Sequence, residues 1–180
     1  MVNIYEQPAI IPRPGRKYYA GIGSRHTPET VCAQMTQIAS VLETNEYVLR
    51  SGGADRADKA FEAGVRSPAN KEIFDPRHGH LEISEGAIAL VKELHPNPEA
   101  AMKYIQFLGR SAYQVLGVNL DKPVDFVICW SIKGQLIGGT AMGMRIALKY
   151  NIPVYNMYRT GTRQVLLAVS DRFGIPITNF

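Results

Sequence analysis

Three short stretches of this 180-residue chain carry residue types suited to gripping an anion: Gly23-Ser24-Arg25, Ser51-Gly52-Gly53-Ala54-Asp55-Arg56 and Gly138-Gly139-Thr140. In the second, adjacent glycines let the backbone turn with positive φ and bring bare N–H groups near a ligand. The helix that follows adds unpaired donors and the positive end of its dipole. Taken alone, the stretch is equally a sharp strand-to-helix turn capped by Ser51 or Asp55. Gly23-Ser24-Arg25 contributes a hydroxyl and a guanidinium that can fork onto phosphate, against the plainer role of a surface arginine paired with a carboxylate. Thr140 adds its hydroxyl to the third loop. A helix terminus contributes about 0.3 to 1 kcal/mol, whereas micromolar binding needs about 8 kcal/mol, so the three loops must act together with Arg25 and base stacking.

Around these loops stand residues with two readings each. Trp130, followed by Ser131, ends an apolar segment beside the third loop and is either a stacking platform for a base or a core tryptophan. Arg110 lies in a long apolar-striped segment and turns either toward the pocket or to solvent. Asp55 and Asp58 accept from ribose hydroxyls or cap their helix, and they are the acid–base candidates if a bond is cleaved. Asp75, His78 and His80 match no strong zinc spacing, so no metal is expected, and no cofactor either. Gly-x-Ser-x-Gly and His-Glu-x-x-His are missing. Gly21-Ile22-Gly23-Ser24-Arg25-His26 lacks the third glycine of the dinucleotide fingerprint, which argues against a nicotinamide or flavin dehydrogenase.

The elements that would position these residues follow from periodicity and punctuation. Lys17–Ile22 reads as a first strand. Thr27 is expected to cap a helix with Pro28 at its first position, running to about Glu43 on Val31, Met35, Ile38, Ala39 and Leu42. Glu46–Arg50 forms a second strand, followed by the glycine turn and a helix to about Gly64. Lys71–Phe74 is a third strand, closed by Asp75-Pro76. Ser84 opens a helix that stops before His95-Pro96, and 98–116 is expected to be one continuous helix, the longest in the chain. Asp125–Trp130 is apolar without alternation, as a central parallel strand covered on both faces should be. A helix on Ala141, Met144, Ala147 and Leu148, a last strand over Ile152–Asn156 and a helix over 162–173 complete the series. Strand and helix alternate throughout, which predicts a Rossmann-like three-layer α/β sandwich with a mostly parallel sheet of about five strands. The three glycine loops then meet at the carboxyl edge of that sheet, where ligands bind.

Hydrophobic residues make up 46% and charged residues 20%, with a net charge of +4: a folded chain that favours anionic partners without the charge of a duplex-DNA coat. Cys32 and Cys129 fit no metal spacing and read as small core residues of a reducing compartment. Pro8, Pro12, Pro14 and Gly15 make residues 1–16 an extended arm before a single domain over 17–180. No signal-peptide profile or membrane-length apolar run is present, so a cytoplasmic protein is expected.

Tyr19-Ala20-Gly21-Ile22-Gly23-Ser24-Arg25, Arg50-Ser51-Gly52-Gly53-Ala54-Asp55 and Gly138-Gly139-Thr140, with Tyr113-Gln114-Val115-Leu116-Gly117 and Asp125–Trp130, resemble the SLOG superfamily. That group joins DNA-processing protein A (Smf) proteins with LOG nucleotide phosphoribohydrolases. The likeness is strongest to short, often virus-encoded DNA-processing-A-like proteins. The resemblance implies a homo-oligomeric protein with a pocket that binds nucleotides, nucleotide-derived signals or single-stranded DNA, and the first expectation is capture of a nucleotide or nucleotide-derived small molecule. It places Gly23, Ser24 and Arg25, Ser51 to Asp55, and Gly138 to Thr140 in the binding motifs, with Arg110 matching a helix arginine. Alternatives under the same likeness are a single-stranded DNA binder using Arg25, Arg50, Arg56, Lys59 and Lys133, and a nucleotide N-glycosidase or phosphoribohydrolase. LOG enzymes carry an acid in the helix after their glycines; Gly138–Arg145 has none. Arg56 and Ala141 stand where relatives usually have glycine, so Arg56 is expected to narrow the pocket or charge it.

Overall fold

A computed structural model describes residues 15–78 and 81–176. The arm expected over 1–16 falls almost wholly outside the described residues, as does His80. The elements run β1 (Lys17–Gly23), α1 (Glu29–Thr44), β2 (Tyr47–Ser51), α2 (Ala57–Gly64), β3 (Lys71–Ile73), α3 (Glu85–Leu94) and α4 (Pro98–Met102). They continue with α5 (Ile105–Leu116), β4 (Phe126–Trp130), α6 (Thr140–Lys149), β5 (Val154–Asn156), α7 (Met157–Thr160) and α8 (Thr162–Phe173). The sheet is parallel throughout, in the order β3-β2-β1-β4-β5. Chain order therefore reverses between β1 and β4, the place where sheets of this type leave a crevice at their carboxyl edge.

Alternation along the central strands divides the interior in two. Tyr19, Leu49, Phe126, Ile128 and Trp130 pack with α1, α2 and α8. Ala20, Ile22, Val127 and Cys129 face α3, α5 and α6. This is why β4 reads as a continuous apolar run: both of its faces are covered. The layer of α1 and α2 is unusually tight. A methyl group at Gly64 would stand 2.1 Å from the Thr36 carbonyl oxygen and 2.7 Å from Cβ of Ala39.

Two expectations fail here. Residues 98–116 are two helices, α4 and α5, broken at residues 103–104, and the longest helix is α1 with 16 residues. No glycine or proline marks the break. It leaves Tyr104 exposed while Ala101 and Leu108, one on each side, are both buried in the inner layer. Thr27 does not cap α1: the cap position is Pro28, and the Thr27 hydroxyl donates to the Ser24 carbonyl at 2.7 Å, tying the first loop to the helix.

Because backbone, not a flexible side chain, faces Gly64, Gly64→Ala should separate α1 from α2. The expected loss is about 1 to 3 kcal/mol, read as a melting temperature lower by about 3 to 10 °C.

Candidate functional site

The loops after β1 and β2 are held together by one carboxylate. Asp58, on the first turn of α2, accepts from the Gly23 N–H at 3.0 Å through Oδ1, and from the Gly52 and Ala54 N–H groups at 3.2 and 3.3 Å through Oδ2. It is 2% exposed. Close packing allows this reach: a Cβ on Gly23 would lie 2.5 Å from that of Ala57. Burial lifts the Asp58 pKa to about 6, against the Arg110 charge and the three backbone donors, which pull it down. Three amides that the glycine pattern offers to a ligand are thus turned inward onto an internal anion. Ser51 is also engaged, its hydroxyl donating to the Gly21 carbonyl at 3.0 Å. Neither Ser51 nor Asp55 caps α2: Arg56 holds the cap position and no side chain bonds there. Asp55 is exposed, 4.0 Å from Arg77.

With donors of this loop facing in, its carbonyls face arginines. Arg110 Nη1 donates to the Gly52 carbonyl and Arg77 Nη2 to that of Gly53. Gly52 has no room for a side chain, since a Cβ would meet Cζ of Arg110 at 2.7 Å and Nε2 of Gln114 at 2.6 Å. Gly53 takes φ +69°, and its Cβ would press on Asp75 Oδ2 at 2.7 Å. Arg77 also holds Asp75 with Nη2 at 2.9 Å, and this hydrogen bonding keeps the Asp75 carboxyl well below the usual carboxylate range. Arg25 is exposed and has no hydrogen bond or ion pair among the described residues. It lies within electrostatic reach of Arg110, whose basicity is lowered chiefly by burial, is held up by the Asp58 and Asp75 charges, and is reduced further by Arg77 and Arg25. Arg77 and Gln114 escaped the sequence reading of the site. The signal for Arg77 was its place two residues after Asp75, on the loop that follows β3 at the same sheet edge.

Other expected site residues lie elsewhere. Trp130 is 8% exposed, belongs to the core packed against α1 and α8, and meets the exposed Tyr158 edge-to-face, so it offers no stacking face. Ser131 is buried and its hydroxyl accepts from Asn156 Nδ2 at 2.7 Å. Arg56 adopts φ 73°, a conformation natural to glycine, and its guanidinium turns onto α1, donating to the Thr27 carbonyl at 3.2 Å and pairing with Glu29 at 2.7 Å. It lines a groove of about 300 Å³ on the α1 side with Cys32, Thr36 and Lys59. Arg50, expected along a DNA groove, is 2% exposed, paired with Glu72 at 2.7 Å and stacked 4.0 Å from the Tyr18 ring centroid. Lys59 pairs with Glu62 at 3.1 Å, and Lys133 is exposed.

No family model, curated protein or solved structure matches the chain.

The third loop is the open one. Gly138 and Gly139 are exposed, and a Cβ on either would meet nothing within 4 Å. Gly139 occupies the cap position of α6 with no side-chain cap, and the amides of Gly139 and Thr140 have no partner among the described residues. In the first loop, the Ser24 amide donates to the Trp130 carbonyl at 3.1 Å and the Ser24 hydroxyl accepts from the His26 amide at 3.1 Å, so that loop is fixed against β4. No group of three potential metal ligands occurs among the described residues, and none of their helices is long and apolar enough to cross a membrane.

Asp58→Asn sets an amide NH₂ against backbone donors. At pH 7 it should cost about 2 to 4 kcal/mol and lower the melting temperature by about 5 to 15 °C. The folded-state pKa of Asp58, about 6, exceeds the ordinary 3.8. The folded chain therefore holds this proton more tightly, and the stability contributed by the group is greatest below about pH 4 and declines as pH rises to about 6. Chemical denaturation across that window should show wild type losing stability relative to Asp58→Asn. Arg56→Gly relieves backbone strain at the loss of one exposed ion pair, so its melting temperature should rise by about 2 to 6 °C. A fall would show that the ion pair outweighs the strain.

Proposed function

We propose that the protein captures a nucleotide or nucleotide-derived small molecule by its phosphate, at the amino terminus of α6 and beside Arg25. The observation that carries this reading is the contrast between the glycine loops. Those after β1 and β2 spend three amides on Asp58, whereas the amides of Gly139 and Thr140 have no partner among the described residues and open space surrounds the Cα of Gly139. Ten-residue α6 adds the positive end of its dipole, and Arg25, two residues past the end of β1, adds a charge that no carboxylate pairs among the described residues. Charge-assisted hydrogen bonds contribute about 1.5 to 3 kcal/mol each, so two amides and one guanidinium approach micromolar affinity once ribose and base contribute.

The reading is capture without cleavage. Asp58, the best-placed carboxylate for acid–base work, has both oxygens bonded and is closed to solvent. The resemblance of the three loops to the SLOG pattern supports the same class of ligand. A single-stranded DNA groove is less well supported, because Arg50 is inside the protein and Arg56 turns away to α1.

Gly139→Asp is the test. Its φ of −63° suits any residue and nothing crowds a side chain there. An aspartate at a helix cap stabilises by up to about 1 kcal/mol, yet its charge occupies the proposed phosphate position. The melting temperature should hold or rise, while affinity for nucleoside monophosphates falls at least about 30-fold by calorimetry. Unchanged affinity would refute the assignment. Oligonucleotide binding that weakens steeply with salt and resists mononucleotide competition would point to DNA instead.

A further inference from the structure

Tyr158 stands at the carboxyl edge of the sheet, just past the end of β5, and the phosphate site leaves it unused. Asn156, which closes β5, is 6% exposed. Its Oδ1 accepts from the Tyr158 amide at 3.1 Å and from the Ser131 amide at 3.4 Å, while its Nδ2 donates to the Ser131 hydroxyl at 2.7 Å. One buried side chain thus ties the residue after β4 to the turn after β5. Arg159 Nε donates to the Gly134 carbonyl at 3.1 Å, and a Cβ on Gly134 would lie 2.5 Å from Arg159 Cγ, so α7 rests tightly on the segment that leads to Gly138. Arg145 Nη2, donating to the Leu136 carbonyl at 3.1 Å, pins the middle of that segment to α6. The platform for Tyr158 and the amino terminus of α6 are the two ends of one tethered loop.

The ring of Tyr158 is held and yet open. Its centroid lies 5.7 Å from that of Trp130 with the planes at 68°, an edge-to-face contact that occupies at most one of its faces. Trp130 is buried, whereas Tyr158 is 48% exposed. Trp130 also carries the link to the first loop, since its carbonyl accepts from the amide of Ser24, the residue before Arg25. A tyrosine fixed through its backbone and one ring contact loses little freedom on binding, and every nucleobase has a π-face to lay on it.

Resting on the capture reading above, we infer that Tyr158 is the platform on which the base of the captured nucleotide stacks, with buried Trp130 bracing its ring. The stacking role that the sequence offered to Trp130 passes to the residue that Trp130 holds. The ligand class is a nucleotide with its base in place. Stacking reads the face of a ring and not its edge, so the platform demands a base without choosing among bases.

The test is calorimetric titration of the full chain with adenosine monophosphate and with ribose 5-phosphate, which keeps the sugar and phosphate and lacks the base. Wild type should bind the nucleotide at least about 10-fold tighter. In Tyr158→Ala that ratio should fall below about 3-fold with the affinity for ribose 5-phosphate unchanged, while Tyr158→Phe, which keeps the ring, should retain it, with folding followed by melting temperature. Equal, measurable wild-type affinities for the two probes would overturn the platform and leave the capture reading standing. No binding by either probe would overturn both. A ratio that survives in folded Tyr158→Ala, or is lost in folded Tyr158→Phe, would overturn the role of the Tyr158 ring. If Tyr158→Ala does not fold, Tyr158→Leu provides the comparison, and equal wild-type affinities refute the inference without any variant.

Discussion

One buried carboxylate organises the carboxyl edge of the sheet. Asp58 gathers amides from two loops that are far apart in sequence, and by doing so fixes the ends of β1 and β2 relative to α2. A charge this deep is costly to desolvate and persists only because its oxygens are satisfied. The loops in turn need the small residues they have. Gly23 admits Ala57, and Gly21 admits Phe61 at 2.6 Å from where its Cβ would be, so α2 can sit low enough for Asp58 to reach the loop amides.

This internal anion inverts the polarity of the β2 loop. A glycine turn between strand and helix ordinarily presents N–H groups to the crevice. Here those groups point down to Asp58, the carbonyls of Gly52 and Gly53 point to Arg110 and Arg77, and the loop presents guanidinium. The edge remains cationic, but through side chains over β2 and backbone only at α6. Arg77 spends Nε and Nη2 on Asp75 and the Gly53 carbonyl, whereas Arg110 gives Nη1 to the Gly52 carbonyl. The division of labour explains how two glycine loops of similar appearance come to play different parts.

Most of the fold was legible from the chain. Alternating strand and helix signals, the unbroken apolar run of β4 and the glycine punctuation lead to a parallel sheet, because those patterns arise from burial and local backbone geometry. The break between α4 and α5 was not legible, since the apolar stripe continues across Lys103 and Tyr104 without a breaker. The site was legible as a set of loops but not as a set of roles. Whether Gly52 donates to a ligand or to Asp58, and whether Trp130 faces a pocket or the α1 and α8 layer, depends on tertiary placement that residue type does not encode. Arg56 shows the limit from the other side: glycine-like geometry at that position is real, at φ 73°, yet the side chain serves α1.

The central claim is that Asp58 keeps the β1 and β2 loop amides while α6 offers its own. Amide chemical shifts of the isotope-labelled protein, followed by NMR during titration with inorganic pyrophosphate, test it most directly. The account predicts large saturable shifts for Gly139 and Thr140, with Gly23, Gly52 and Ala54 nearly still because their partner does not change. Large shifts of Gly52 and Ala54 with Gly139 unmoved would mean that the anion displaces Asp58, and would contradict it.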